Sequence, residues 1–335
     1  MNLEVQRASA EIERFRDTFL AIENEVGRLI VGHRDVLRKA LTAFFAGGHV
    51  LLEGVPGLGK TLIVRSISNA LGLSFKRIQF TPDLMPSDII GAQILHEREQ
   101  GGDFEFRRGP IFANIVLADE INRATPKTQS AVLEAMEEHQ VTAFGETYIL
   151  DEPFFVLATQ NPIELEGTYP LPEAQLDRFL FKIIVRSPAP EELREILRRT
   201  TVETKPEVRT VLGAADATTM IADMRRLVRQ VVIAPPFEDY VVGVISAATP
   251  DGARSPGSVR TYVRFGPSPR AAQAIVLGAK VNALLDGRAH VSFADVADVV
   301  LPAVRHRLIL NFQAEAENVA AEDVIAEVTS AVPRP

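Results

Sequence analysis

The chain has 335 residues, 46% of them hydrophobic and 24% charged, an ordinary globular composition that is long for a single core and suggests two domains. A net charge of −8 argues against a large nucleic-acid footprint, and the lack of cysteine excludes disulfides and thiolate metal sites. The six histidines are scattered and show no ligand-like pairing.

The start, Met1-Asn2-Leu3-Glu4, lacks the basic-then-apolar order of a signal peptide, and no uncharged stretch reaches the roughly 18 residues a membrane span needs. A cytoplasmic location is therefore expected. Residues 3–30 carry apolar positions at helical spacing: Ile12, Phe15, Phe19, Leu20, Ile22, Val26, Leu29 and Ile30. Val31-Gly32-His33 breaks that pattern, and Asp35 to Phe45 reads as a second helix ended by Gly47-Gly48. A break ahead of the next strand would sit near a bound base. Val31 and Gly32 are therefore counted as nucleotide contacts, against the plainer reading of a helix–helix turn.

An apolar strand, His49 to Glu53, then runs into Gly54-Val55-Pro56-Gly57-Leu58-Gly59-Lys60-Thr61, and a helix from Leu62 closes on Gly72. Strand, glycine-rich loop and helix in that order are the context in which G-x-x-x-x-G-K-[ST] binds a nucleotide phosphate. Glycines let the backbone curl round the phosphate, and loop N–H groups and the helix dipole favour the anion. Lys60 adds a mobile cation for the β- and γ-phosphates, and Thr61 a hydroxyl for Mg²⁺. A ligand-free strand-to-helix turn is the competing reading, and Lys60 and Thr61 in register weigh against it.

Phe75–Phe80 alternates as a strand, and Ile89–Arg108 reads as a hairpin turning near Gln100-Gly101-Gly102-Asp103. Ile115-Val116-Leu117-Ala118 is continuously apolar, as in a strand covered on both faces, and ends in Asp119-Glu120. Adjacent carboxylates at a strand end call for a cation. Asp119 suits Mg²⁺, and Glu120 suits polarising the attacking water, against a solvated acidic turn. A second hairpin spans Gln140 to Leu150 and turns near Phe144-Gly145. Phe154–Ala158 is another buried strand, after which Asn161 could orient the same water or serve only as a turn residue before Pro162. Leu180–Val185 is the fifth strand.

Strands alternating with helices predict a doubly wound parallel α/β sheet, with ligands at the carboxyl ends of its strands, where Lys60, Asp119 and Asn161 would converge. Pro188-Ala189-Pro190 divides the chain into an α/β domain (1–190) and a smaller all-α domain (191–335) with helices at 191–199, 217–230, 237–248, 268–285, 292–308 and 320–329. Arg178, before the fifth strand, reads on its own as a surface arginine paired with Asp177 or Glu173. Ser268-Pro269-Arg270 puts an arginine at the positive end of a helix, a cost that an anion between the helical domain and the sheet would offset.

GVPGLGKT (54–61), LADEINRA (117–124), ATQNP (158–162), LDRF (176–179) and GPSPRA (266–271) together resemble the MoxR branch of the AAA+ ATPases, over Val31 to about Leu308. The resemblance implies that Asp119 and Glu120 are Walker B, that Asn161 is sensor 1, that Arg178 is an arginine finger reaching a neighbouring subunit's nucleotide, and that Arg270 is sensor 2. The hairpins correspond to inserts that face a pore or partner surface. It further implies ATP and Mg²⁺ as ligands, a homo-hexameric ring, and chaperone-like maturation of client proteins alongside a partner with a von Willebrand factor A domain. The client itself is not named by the sequence. His33 departs from the family's usual glutamine, which bears on the adenine side. The rival expectations are a nucleotide-dependent adaptor or switch and a metal-chelatase subunit.

Overall fold

A computed structural model describes residues 3–98, 101–162, 167–201, 207–213, 216–252 and 254–335. Two helices, α1 (Leu3–Gly27) and α2 (Arg34–Ala46), precede β1 (Val50–Glu53) and α3 (Lys60–Leu71). Of the apolar positions expected along α1, Ile12, Phe15, Phe19, Ile22 and Val26 are buried and Leu20 is half-buried. The helix stops at Gly27, short of residue 30, because glycine is a poor helix former. Gly47 closes α2 at φ 79°, its N–H donating to the Phe44 carbonyl while the Gly48 N–H donates to that of Ala43.

Next come β2 (Phe75–Gln79), α4 (Pro86–Ile90), β3 (Gly91–Arg98), β4 (Gly101–Arg108), β5 (Ile115–Asp119), α5 (Pro126–Glu138), β6 (Gln140–Ala143), β7 (Glu146–Ile149), β8 (Phe155–Gln160), α6 (Glu173–Leu176) and β9 (Phe181–Ile184). The first expected hairpin begins two residues late, since Ile89 and Ile90 belong to α4, where the Asp88 carboxylate caps the Met85 N–H at 2.9 Å. Its turn residue Gln100 lies outside the described residues. The second turns at Phe144 and Gly145, both at positive φ (54° and 84°), the backbone that matches the twist of a two-residue hairpin. Phe106 of the first hairpin stacks on Tyr148 of the second, ring centroids 4.5 Å apart.

The central sheet has the order β2-β5-β8-β1-β9, and every pairing is parallel. Alternate residues face opposite ways. Val50, Leu52, Ile115, Leu117, Phe155, Leu157, Phe181 and Ile183 join the core formed with α1–α3. Leu51, Val116, Ala118, Val156 and Ala158 join a second core formed with α5. Covered on both faces, these strands read as the continuous apolar runs seen in the sequence.

The remainder is α7 (Pro190–Thr200), α8 (Ala217–Gln230), α9 (Pro235–Ala247), α10 (Gly257–Tyr262), β10 (Val263–Phe265), α11 (Pro269–Leu285), α12 (Phe293–Val304), β11 (Ile309–Leu310), α13 (Phe312–Ala316) and α14 (Ala321–Ala331). Among its described residues the helices are joined by an antiparallel β10–β11 ladder, too short to leave a strand signature in sequence, and by an isolated bridge between Val232 and His290. Its core is continuous with the α1–α3 side of the sheet. Among the described residues no helix is long and apolar enough to cross a membrane.

Candidate functional site

Gly57 and Gly59 take φ of 85° and 77°, a backbone open to glycine and strained for other residues. No atom lies within 4 Å of where their Cβ atoms would stand, so conformation and not crowding requires glycine there. Gly54 is glycine for the other reason: a Cβ would lie 2.7 Å from the Val185 carbonyl. Gly59 is the N-cap of α3 and has no side chain to offer, so the first-turn N–H groups remain for a ligand. Lys60 is mostly buried, and its Nζ donates to the Gly54 carbonyl at 2.6 Å. Burial pushes its pKa down, while Asp119, Glu120 and Glu53 oppose that shift. Thr61 follows it in the first turn of α3.

Asp119 and Glu120 end β5, two strands from β1 across β8. Asp119 is 7% exposed, and its Oδ1 accepts a 2.6 Å bond from Thr159 Oγ1. Its Oδ2 accepts from Arg77 Nε and Nη2 at 2.9 and 2.7 Å. Thr159 also accepts from the Glu120 N–H at 2.8 Å, so one hydroxyl joins both acidic residues to β8. Glu120 sits in the left-handed region (φ 57°), which costs a non-glycine residue about 1–2 kcal/mol. Strain of this kind gathers at functional sites. The Glu120 carboxylate accepts from Gln79 at 2.9 Å and from Arg123 at 3.0 Å. Asn161 is buried just past β8. Lys60, Asp119, Glu120 and Asn161 thus gather at the carboxyl ends of three adjacent strands, as the sequence predicts.

Beside the loop opens a largely apolar cavity of 520 Å³, whose walls include Ile30, Val31, Leu58, Leu62, Leu193 and Ile196. It falls within the size range of small-ligand sites. Val31 and Leu62 line it, as do Gly57, Leu58 and Gly59. Gly32, Val55 and Pro56 do not; a Cβ on Gly32 would instead meet the Glu192 carboxylate at 2.7 Å. His33 lines the cavity, and burial lowers its pKa while the Glu192 carboxylate opposes the shift. Leu193 and Ile196 of α7 escaped the sequence reading, which gave that helix to the second domain. Their signal was an apolar pair at i, i+3 on a helix that otherwise carries charge.

The two arginines stand elsewhere. Arg178 donates to the Leu133 carbonyl at 2.6 Å and pairs with Glu137 at 2.8 Å, rather than with Asp177 or Glu173. Arg270 pairs with the same Glu137 at 2.5 Å and lies 3.8 Å from Asp177. The anions that offset its position at a helix start are these carboxylates. Both arginines line a 190 Å³ cleft with Gly48, which precedes β1, whereas the phosphate loop follows β1. At about 3.3 Å per residue, Gly48 and Gly54 are roughly 20 Å apart. Arg270 therefore stands well away from this chain's own phosphate loop. The reason is that α11 docks on β9 through Gly278, where a Cβ would come within 2.7 Å of Phe181, and this seats the start of α11 at the amino ends of the strands.

Comparison with known proteins bears on this arrangement. Residues 49–181 match the ATPase family associated with various cellular activities (AAA), and residues 258–328 match the AAA lid domain. Chaperone MoxR1 of Mycobacterium tuberculosis is 44% identical over 311 residues, 93% of this chain and 81% of that protein. The chain belongs to the MoxR family of AAA+ ATPases. Protein MoxR of Methylorubrum extorquens is 31% identical over 97% of this chain and 98% of its own length. A solved crystal structure from Cytophaga hutchinsonii superposes with a TM-score of 0.90 at 38% identity, covering 99% of both chains. The sheet and helical lid described above are thus those of a MoxR-type AAA+ protein.

Proposed function

We propose that this MoxR-family chain hydrolyses ATP with Mg²⁺, and that the energy drives chaperone-like maturation or activation of partner proteins. The observation that carries the reading is the seating of Lys60: bonded to the loop, in the field of Asp119 and Glu120, and next to an apolar cavity sized for a base. The base enters between Val31, Leu62 and the α7 leucine, and the triphosphate follows the loop to Lys60. The oxygen donors of Thr61 and Asp119 suit Mg²⁺, whose charge would offset that of the β- and γ-phosphates. Glu120 takes the proton of the attacking water, and Asn161 orients that water. Arg77, bonded to Asp119, must yield or share the carboxylate when the metal arrives.

Arg178 and Arg270 lie about a strand's length from their own loop, which supports a role at the nucleotide of an adjacent copy, and a homo-hexameric ring would close such contacts. A von Willebrand factor A domain protein is the proposed partner and the cytoplasm the proposed compartment. One observation favours a slower, switch-like mode: Gln79 and Arg123 hold the Glu120 carboxylate, so a partner that releases it would set the turnover rate. The test is steady-state ATP hydrolysis. Glu120→Gln should retain ATP and lose turnover by about 10²–10⁴-fold, the range for removing a general base. Equal turnover in the two proteins rules Glu120 out as the base, and failure of the wild type to bind ATP ends the reading.

A further inference from the structure

Arg307, just past α12, falls in no motif of the sequence reading. Its side chain is 3% exposed. Its Nε donates to Asp177 Oδ1 at 2.7 Å. Nη2 donates to the carbonyls of Asp177 and Phe179 at 2.8 and 2.7 Å, and Nη1 to those of Leu180 and Ala303 at 3.1 and 2.6 Å. A guanidinium has five N–H groups, and all are used. The neighbouring His306, fully buried, adds a bond to the Phe179 carbonyl at 2.9 Å. Except for Ala303, every acceptor belongs to residues 177–180, the turn that carries Arg178.

Burying this cation is tolerable only because its charge and donors are met together. Burial pushes its pKa down, and Asp177 opposes the shift. The same carboxylate anchors the lid a second time. Ser268 Oγ donates to both Asp177 oxygens, at 2.8 and 2.9 Å, while accepting the Arg270 N–H at 3.1 Å. One ion pair therefore joins the start of α11, the end of α12 and the Arg178 turn.

We propose that Asp177 and Arg307 form a positioning clamp that presents Arg178 and Arg270 as one rigid cationic unit to the triphosphate held by a neighbouring copy. The proposal rests on the shared-pocket reading above. Neither clamp residue touches nucleotide; both act through the arginines. Because the clamp spans lid and sheet, a lid movement in one copy reaches the pocket of the next.

Two variants test it. Arg307→Lys keeps the charge and loses the planar fork; Asp177→Asn keeps the shape and loses the charge. Each should bind a fluorescent ATP analogue as the wild type does, yet lose turnover by roughly 10- to 100-fold, the scale of a catalytic group displaced by an ångström. Mixed with Lys60→Ala, which supplies intact arginines, each should regain turnover above the sum of the separate proteins, because its own phosphate loop is sound. Unchanged turnover in both variants overturns the clamp. Weakened nucleotide binding without rescue on mixing, or failure of both variants to fold, overturns it too, by making the pair a structural support only. An Arg178→Ala and Lys60→Ala mixture run alongside separates the two readings. Rescue there without rescue of the clamp variants removes the clamp alone, and no rescue there removes the shared pocket beneath it.

Discussion

Thr159 shows how much of the candidate site one hydroxyl holds. It donates to Asp119 and accepts from the Glu120 backbone, fixing both acidic groups to β8. Thr159→Val keeps the shape and removes both bonds, leaving a buried N–H and a carboxylate oxygen unmet. Each buried group left unsatisfied costs about 1–3 kcal/mol, so urea unfolding should show a loss on that scale together with slower ATP turnover. A stability within a few tenths of a kcal/mol of wild type would show that water replaces the hydroxyl. In the sequence Lys60, Thr61, Asp119, Glu120 and Asn161 were legible because each sits at a strand end in a motif of fixed order. Thr159 and Arg307 were not, because their meaning lies in partners 40 and 130 residues away. Arg270 was legible as a cation at a helix start, but its anions, Glu137 and Asp177, emerge only once α11 docks on β9.

At the scale of elements, the strands and long helices followed their periodicity closely, and α8 spans the residues expected, Ala217–Gln230. What escaped were α4, α6, α10, α13 and the β10–β11 ladder, pieces too short to repeat a period, together with α5, whose 13 residues between Asp119-Glu120 and the second hairpin were not read as a helix. His49, ahead of β1, knits elements that periodicity cannot link. It donates from Nε2 to the Met136 carbonyl of α5 and accepts at Nδ1 from the Val156 N–H of β8, both at 3.0 Å. Burial drives its pKa down from 6.5 to about 3, and His306 is likewise pushed well below the usual range. Above pH 6.5 both rings are neutral, folded or unfolded, and their contribution to stability is complete. As pH falls below 6.5 the unfolded chain takes up protons that the folded one refuses. Stability then drops by up to about 1.4 kcal/mol per pH unit for each ring. Chemical denaturation between pH 7 and pH 5 should show that slope, and His49→Asn, whose amide does not titrate, should reduce it by about one ring's share. Equal slopes in the two proteins would mean that His49 takes up its proton in the fold as readily as in the unfolded chain.

For the whole molecule, the question is whether lid and sheet unfold as one. The sequence divides the chain at Pro188-Ala189-Pro190, yet the buried core on the α1–α3 side runs unbroken from Ile12 to Val332. The join is close at Gly278, where α11 meets Phe181 of β9 and Val299 of α12. In an exposed helix, glycine to alanine gains about 1 kcal/mol. At Gly278 the added Cβ would lie 2.7 Å from the Phe181 ring and 3.1 Å from Val299, and overpacking of this kind costs about 1–3 kcal/mol. Gly278→Ala should therefore lower the unfolding temperature of lid and sheet together. Calorimetry of the wild type should show a single transition with calorimetric and van't Hoff enthalpies in agreement. Since the cavity proposed for the base is walled by both α3 and α7, ATP with Mg²⁺ should move that transition as a whole, by about 2.7 kcal/mol at a hundredfold excess over its dissociation constant. Lys60→Ala should reduce the shift without dividing the peak. Two transitions, of which ATP moves only one, would mean that the lid stands as an independent unit and that Gly278 is a contact rather than a weld.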